Sequence, residues 1–200
     1  MSPPKMKPPE PVTLEGKVVR LEPLVPDHQA ELLEIALDSR IWEFGLSQVH
    51  DAGTLRAYMD QALEAQHEGN SLPFLIRERA SGKAVGSTRY GNIEPAHRRL
   101  EIGWTWVAPA WQRTAVNTEC KYLLLRHAFE DLGVDRVEFK TDVLNRASRA
   151  ALRRIGATEE GVLRHHLITE TGRVRDTIYF SILAGKWPRV KAELERKLER

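Results

Sequence analysis

The run Trp104-Thr105-Trp106-Val107-Ala108-Pro109-Ala110-Trp111-Gln112-Arg113-Thr114-Ala115-Val116-Asn117-Thr118-Glu119 restricts the fold more than any other stretch of the chain. It reads as a strand ended by Pro109, a short turn of small and polar residues, and a helix that starts near Asn117 or Thr118 and runs through Leu123-Leu124-Leu125 to Gly133. The first four N–H groups of a helix have no intrahelical partner, and the helix dipole adds partial positive charge there. A strand leading into such a start is therefore an anion site that needs no catalytic side chain.

The flanking sequence supplies a sheet for this strand to join. Lys17 to Glu22 alternates as a first strand ended by Pro23 and Pro26, and Asp27 can cap a helix through Leu32, Leu33, Ala36 and Leu37. Ser39 to His50 follows neither period and reads as a loop carrying Ile41, Trp42 and Phe44. Leu55, Tyr58, Met59, Ala62, Leu63 and Gln66 then mark one face of a second helix, with Asp51 or Thr54 as its cap and Gly69 as its stop. Leu72 to Arg79, Ala84 to Tyr90 and Leu100 to Val107 read as strands joined by hairpin-type links, hence antiparallel neighbours. Beyond the central helix, Arg136 to Val143 alternates, and its helical connection predicts a parallel or splayed relation to the Trp104 strand. Asn145 can cap a short helix from Ala147 to Ile155, and Gly161 to Thr169 with Val174 to Leu183 closes the domain around Thr171-Gly172.

Two hundred residues, 42% of them hydrophobic and 29% charged, suit one domain with a sizeable core. Residues 1–11, with five prolines, read as a flexible leader, 12–187 as the domain, and 188–200 as a charged terminal helix that is either a loosely docked tail or half of a partner contact. Thirty basic against 28 acidic residues leave a net charge of +2, which implies no strong attraction to nucleic acid or an acidic membrane and favours a small-molecule or protein partner. The single cysteine, Cys120, cannot form an internal disulfide and is more often a small core residue than a nucleophile, and no apolar run approaches a membrane span. Cytoplasmic residence is the resulting expectation.

From Val12 to Trp187 the chain resembles the GCN5-related N-acetyltransferase superfamily, and more narrowly its ribosomal-protein N-terminal acetyltransferase branch. The superfamily's turn, Gln/Arg-x-x-Gly-x-Gly/Ala, reads here Gln112-Arg113-Thr114-Ala115-Val116-Asn117, with Ala115 at the first glycine and Asn117 at the second small position. Leu100-Glu101-Ile102-Gly103-Trp104, His127-Ala128-Phe129 followed by Leu132-Gly133, and Asn145-x-x-Ser148 carry the rest of the likeness. It implies an α/β (α+β) fold with a mixed, mostly antiparallel seven-stranded sheet flanked by helices and splayed between the fourth strand, at Trp104, and the fifth, at Val137. It further implies an acetyl-CoA site without metal. Pantetheine would pair along Trp106, Val107 and Ala108, the pyrophosphate would meet Gln112 and the N–H groups of Arg113, Thr114, Ala115, Val116, Asn117 and Thr118, and Asn145 would touch pantetheine or cap the helix after it. A homodimer is a further expectation of the branch.

Glu101 is the candidate general base. Strand alternation places it with Gly103, Thr105 and Val107, opposite Trp104 and Trp106, where a partly apolar cleft can make a carboxylate a useful proton acceptor; the competing reading is a carboxylate paired with Arg98, Arg99 or a neighbouring strand. Ser148 could hydrogen-bond the departing thiolate. Arg146, Arg149 and Arg153 share a helix face that reads mainly as solvated. The acceptor pocket is expected from Ile41 to Leu46, the second helix, and the hairpin near His165 to Arg173. His165-His166 gives no metal site, since neighbours on a strand point to opposite faces. The expected activity is acetyl transfer to a primary amine of a protein N-terminus, an amino acid or an amino sugar; the alternative is a catalytically silent acyl-CoA-binding or protein-interaction module.

Overall fold

A computed structural model describes residues 5–199. Strands β1 (Leu14–Glu15), β2 (Val19–Pro23), β3 (Leu72–Glu78), β4 (Ala84–Glu94), β5 (Arg99–Val107), β6 (Arg136–Asp142), β7 (Thr158–Ile168) and β8 (Val174–Leu183) form one sheet, in the order β1-β2-β3-β4-β5-β6-β8-β7. The seven expected strands are present, and the two-residue β1 adds an eighth. Among the described residues only β5 and β6 run parallel. Between them lies α3 (Ala115–Arg126), which continues as a π-helical turn, His127–Asp131, and such a crossover brings the chain back in the same direction.

Side-chain alternation gives the sheet two cores. Leu100, Ile102, Val137, Phe139, Ile178 and Phe180 pack with α3, with Leu152 of α4 (Arg146–Arg154) and with α5 (Trp187–Leu198). Leu75, Ala84 and Trp106 pack on the other face against α1 (Gln29–Ala36) and α2 (Ala52–His67). This second core takes no residue from β6, β7 or β8. On that half of the face β6 and β8 present polar side chains, Glu138, Lys140, Asp142, Thr177 and Ser181 among them.

Local chemistry sets the ends of α2 where the sequence places them: Asp51 accepts the Thr54 N–H at 2.7 Å, and Gly69 takes a left-handed φ of 77° just past the last turn. Other expectations change. The leader is held from Lys5 onward in the described residues, because Met6 is buried in the first core and the Lys7 N–H donates to the Leu132 carbonyl at 2.9 Å; Met1–Pro4 lie outside the described residues. The terminal helix begins one residue early and is neither a loose tail nor a free face. Trp187, Val190 and Leu194 are buried against the first core, and Phe129 stacks on Trp187 with centroids 5.4 Å apart.

Candidate active site

β5 and β6 pair only at Arg99 with Arg136, Leu100 with Val137 and Glu101 with Glu138, and beyond Glu101 the two strands part. The opening coincides with a bulge. Between Arg89↔Gly103 and Ser87↔Trp106 the register slips, leaving Trp104 and Thr105 opposite Thr88, with Trp104 at φ 49°. An extra residue bends the bulged strand and raises its twist, which carries β5 away from its parallel neighbour. Gly91 makes room for it, since a Cβ there would lie 2.3 Å from the Trp104 ring.

The bulge also corrects the expected faces. Leu100 and Ile102 point to the α3 side, so Glu101 points to the α2 side; past the bulge Thr105 and Val107 turn to the α3 side, where the Lys121 ammonium donates to Thr105 Oγ1 at 2.6 Å. Trp104 lies beside Arg89, which also covers the Tyr58 ring of α2, and Trp106 packs against Trp42. Glu101 therefore shares its face with Trp104 and Trp106 rather than with Thr105 and Val107. Simple alternation fails because a bulge inserts one residue into a period of two.

The same geometry exposes a donor. The Ala108 N–H donates to Val85 on β4 at 2.8 Å, and successive strand N–H groups alternate in direction, so the Val107 N–H faces the opened side. The Gln112 amide reaches back to the Val107 carbonyl at 2.9 Å. Trp106 and Ala108 are buried on either side of it.

Past Pro109–Trp111 the chain reverses at Arg113, φ 62°, and Thr114 caps α3 by accepting the Val116 N–H at 3.3 Å while donating to the Trp111 carbonyl at 2.7 Å. The helix thus starts at Ala115, not at Asn117 or Thr118. Its unpaired N–H groups belong to the cap, Thr114, and to Ala115 and Asn117, with Val116 weakly capped; the Thr118 N–H falls in the first intrahelical bond, to Thr114, and leaves the candidate set. Thr118 Oγ1 instead receives Arg154 at 3.3 Å. Ala115 and Asn117 lie in the helix, so neither needs the conformational freedom of glycine; the left-handed residue of the turn is Arg113. Exposed N–H groups at the helix start and an open strand edge leading to them fit a phosphate-bearing thioester.

Glu101 is buried, and its Oε2 accepts from the Lys140 ammonium at 2.8 Å and from the Asn92 amide at 2.6 Å. The neighbouring-strand pairing is thus present, with Lys140 of β6 rather than Arg98 or Arg99 as the partner. Burial alone would lower the Lys140 pKa, but the charge and hydrogen bond of Glu101 hold it above the ordinary lysine value. Glu101 Oε1 lies against Gly103, where a Cβ would come within 2.8 Å. Asn145 Oδ1 accepts the Ser148 N–H at 2.9 Å, so Asn145 caps α4 and both residues stand where β6 ends beside the opening. Cys120 is buried in the core, and desolvation pushes its thiol up to about 11. Arg149 donates to the Val143 carbonyl at 3.0 Å and Arg153 pairs with Glu159.

Trp42 is core rather than pocket, buried with its indole N–H on the Ala36 carbonyl at 2.7 Å. The rest of its loop meets the last hairpin: the Glu170 N–H donates to Leu46 at 3.1 Å, and the Gln48 N–H donates to Glu170 Oε2 at 2.7 Å. Sequence reasoning missed Lys140, Asn92 and Lys121. The alternation of β6 puts Lys140 on one face, but its meeting with Glu101 depends on an interstrand register that sequence does not show.

Residues 19–158 match the family model described as Acetyltransferase (GNAT) domain. A GCN5-related N-acetyltransferase from Brucella melitensis superposes with a TM-score of 0.89 at 30% identity, over 96% of this chain and 87% of that one. Mycobacterium smegmatis RimJ, solved in complex with CoA-disulfide, superposes with a TM-score of 0.78 at 26% identity over 95% of each chain. The Bacillus subtilis protein named Putative ribosomal N-acetyltransferase YdaF is 34% identical over 53% of this chain, and the match spans 57% of that protein's length. The family match over most of the chain and the shared fold agree with the opened β5–β6 edge and the helix start beside it: this protein belongs to the GNAT acetyltransferase family.

Proposed function

We propose that this protein transfers an acetyl group from acetyl-CoA to the N-terminal amine of a protein, with a ribosomal protein as the acceptor class. The observation that carries the reading is the opened edge of β5, along which Val107 follows Glu101 and precedes the start of α3. The N–H groups of Ala115 and Asn117 receive the pyrophosphate, and the strand edge from Trp106 to Ala108 holds the pantetheine arm. The Val107 N–H stabilises the oxyanion that develops at the thioester carbonyl, a charge that pre-aimed donors stabilise best where water is excluded. Glu101, fixed at Oε2 by Lys140 and Asn92, offers Oε1 to the ammonium and takes its proton, directly or through a water molecule, before the amine attacks. Ser148, at the start of α4, stands toward the departing sulfur. RimJ's complex with CoA-disulfide and the name of YdaF support the choices of donor and acceptor.

Labelled acetyl-CoA supplied with pools of peptides, polyamines and aminoglycosides tests the reading. Label is expected in peptide N-termini, and Glu101→Gln is expected to lower kcat by roughly 10² to 10⁴ with little change in KM for acetyl-CoA. Acetyl-CoA binding without any labelled peptide would refute the acceptor assignment.

A further inference from the structure

The α2-side face of the sheet concentrates unmet hydrogen-bonding capacity. Among the described residues eight buried side-chain polar atoms lack a partner, and five lie on this face: Arg89 Nη2, Trp106 Nε1, His166 Nδ1, Arg175 Nε and Thr177 Oγ1. Buried polar groups without partners are costly, so a cluster of them marks a face that a polar ligand can complete. Arginine and indole nitrogens can only donate. The ligand must therefore bring oxygen acceptors as well as its amine.

Charge narrows it further. The cations Arg89, Lys140, Arg173 and Arg175 share the face, and of these Lys140 pairs with Glu101 and Arg173 with Asp142. Glu138, next along β6, is held by Arg99 and Arg136. Arg89 lies 4.8 Å from the Trp104 ring centroid and 5.1 Å from that of Tyr58, and two aromatic faces partly compensate a desolvated guanidinium. Among the described residues Arg175 has no such ring, no hydrogen bond at Nε and no carboxylate within ion-pair distance, and it is 6% exposed; burial lowers its pKa, with Asp142 opposing from a distance. It sits on β8 two residues from Thr177, which lies beside Asp142 of β6. The Glu170 clasp to Leu46 and Gln48 ties this hairpin to the loop before α2.

We propose that Arg175 forms an acceptor subsite for a carboxylate, and that this protein selects peptide N-termini bearing an acidic side chain in their second or third residue. The inference rests on the amine-acetylation reading above. A planar guanidinium matches a carboxylate bidentately. The amine then lies toward Glu101 while the acidic side chain reaches along β6 to β8.

Two peptide pairs, Asp against Asn at the second position and at the third, test it. In the wild-type protein kcat/KM is expected to be at least tenfold higher for the acidic member of one pair, and Arg175→Gln, shown folded by its melting transition and its KM for acetyl-CoA, is expected to bring that ratio within twofold of unity. Product inhibition repeats the test without a variant: the acetylated Asp peptide should inhibit the wild-type enzyme more tightly than its Asn counterpart. Equal rates and equal inhibition within both pairs would overturn the subsite while leaving peptide acetylation standing, as would an undiminished preference in folded Arg175→Gln. Acetylation of none of the peptides would remove both.

Discussion

Replacing Glu119 with alanine tests how α3 is held. Glu119 lies in the second turn of α3 and is buried, with its carboxylate accepting the N–H groups of Lys17, Val18 and Val19 at 2.8, 2.6 and 2.7 Å. Gly16 permits the approach, since a Cβ there would stand 2.3 Å from Oε2. The contact ties α3, four residues past Ala115, to the turn between β1 and β2. Truncation leaves three N–H groups without their charged acceptor, and at about 1 kcal/mol or more each the loss is about 3 kcal/mol. For a chain of this size 1 kcal/mol moves Tm by roughly 2–4 °C, so a fall of about 6–12 °C is expected in a thermal melt followed by circular dichroism. Because the start of α3 loses its anchor, KM for acetyl-CoA should rise more than kcat falls. A Tm within 2 °C of wild type would refute the reasoning, because the three donors would then have been satisfied without Glu119.

Arg113→Gly removes a non-glycine residue from a left-handed conformation that costs an L-residue roughly 1–2 kcal/mol, so chemical denaturation should show a small gain in stability, while loss of the exposed charge raises KM for acetyl-CoA; a less stable variant would place the strain elsewhere in the turn. Glu160, bound by Arg136 and by Ser181, has its pKa lowered to about 2, so the stability it contributes is complete above the unfolded value near 4.3 and is lost as pH falls toward 2. Its partial exposure screens the effect to about 1 kcal/mol, and the stability gap between wild type and Glu160→Gln should close from pH 6 to pH 2 in urea melts; a constant gap would argue against the pair.

Features set by nearest neighbours in the chain were legible in the residues themselves. Asp51 with Thr54, Gly69, Asn145 with Ser148 and the alternation of Val137 and Phe139 act over two to four positions, so helix and strand limits came out close to where they fall. The start of α3 was missed by two or three residues because Thr114, Asn117 and Thr118 can all cap, and only the left-handed turn at Arg113 selects Thr114. The leader was misread because a short proline-rich segment shows no periodicity, although Met6 alone gives it a place in the core.

By itself the sequence determined a strand, a turn and a helix start in the right order for an anion, with Glu101 just upstream, because these are properties of successive peptide groups and side-chain types. Tertiary structure decided which way those groups face. The bulge at Trp104 turned Thr105 and Val107 away from Glu101, the parallel register of β5 and β6 brought Lys140 to its carboxylate, and α3 carried Glu119 to a turn about a hundred residues earlier in the chain. Each of these depends on strand pairing and helix docking between segments far apart in sequence, and a one-residue change of register reverses every side chain it touches.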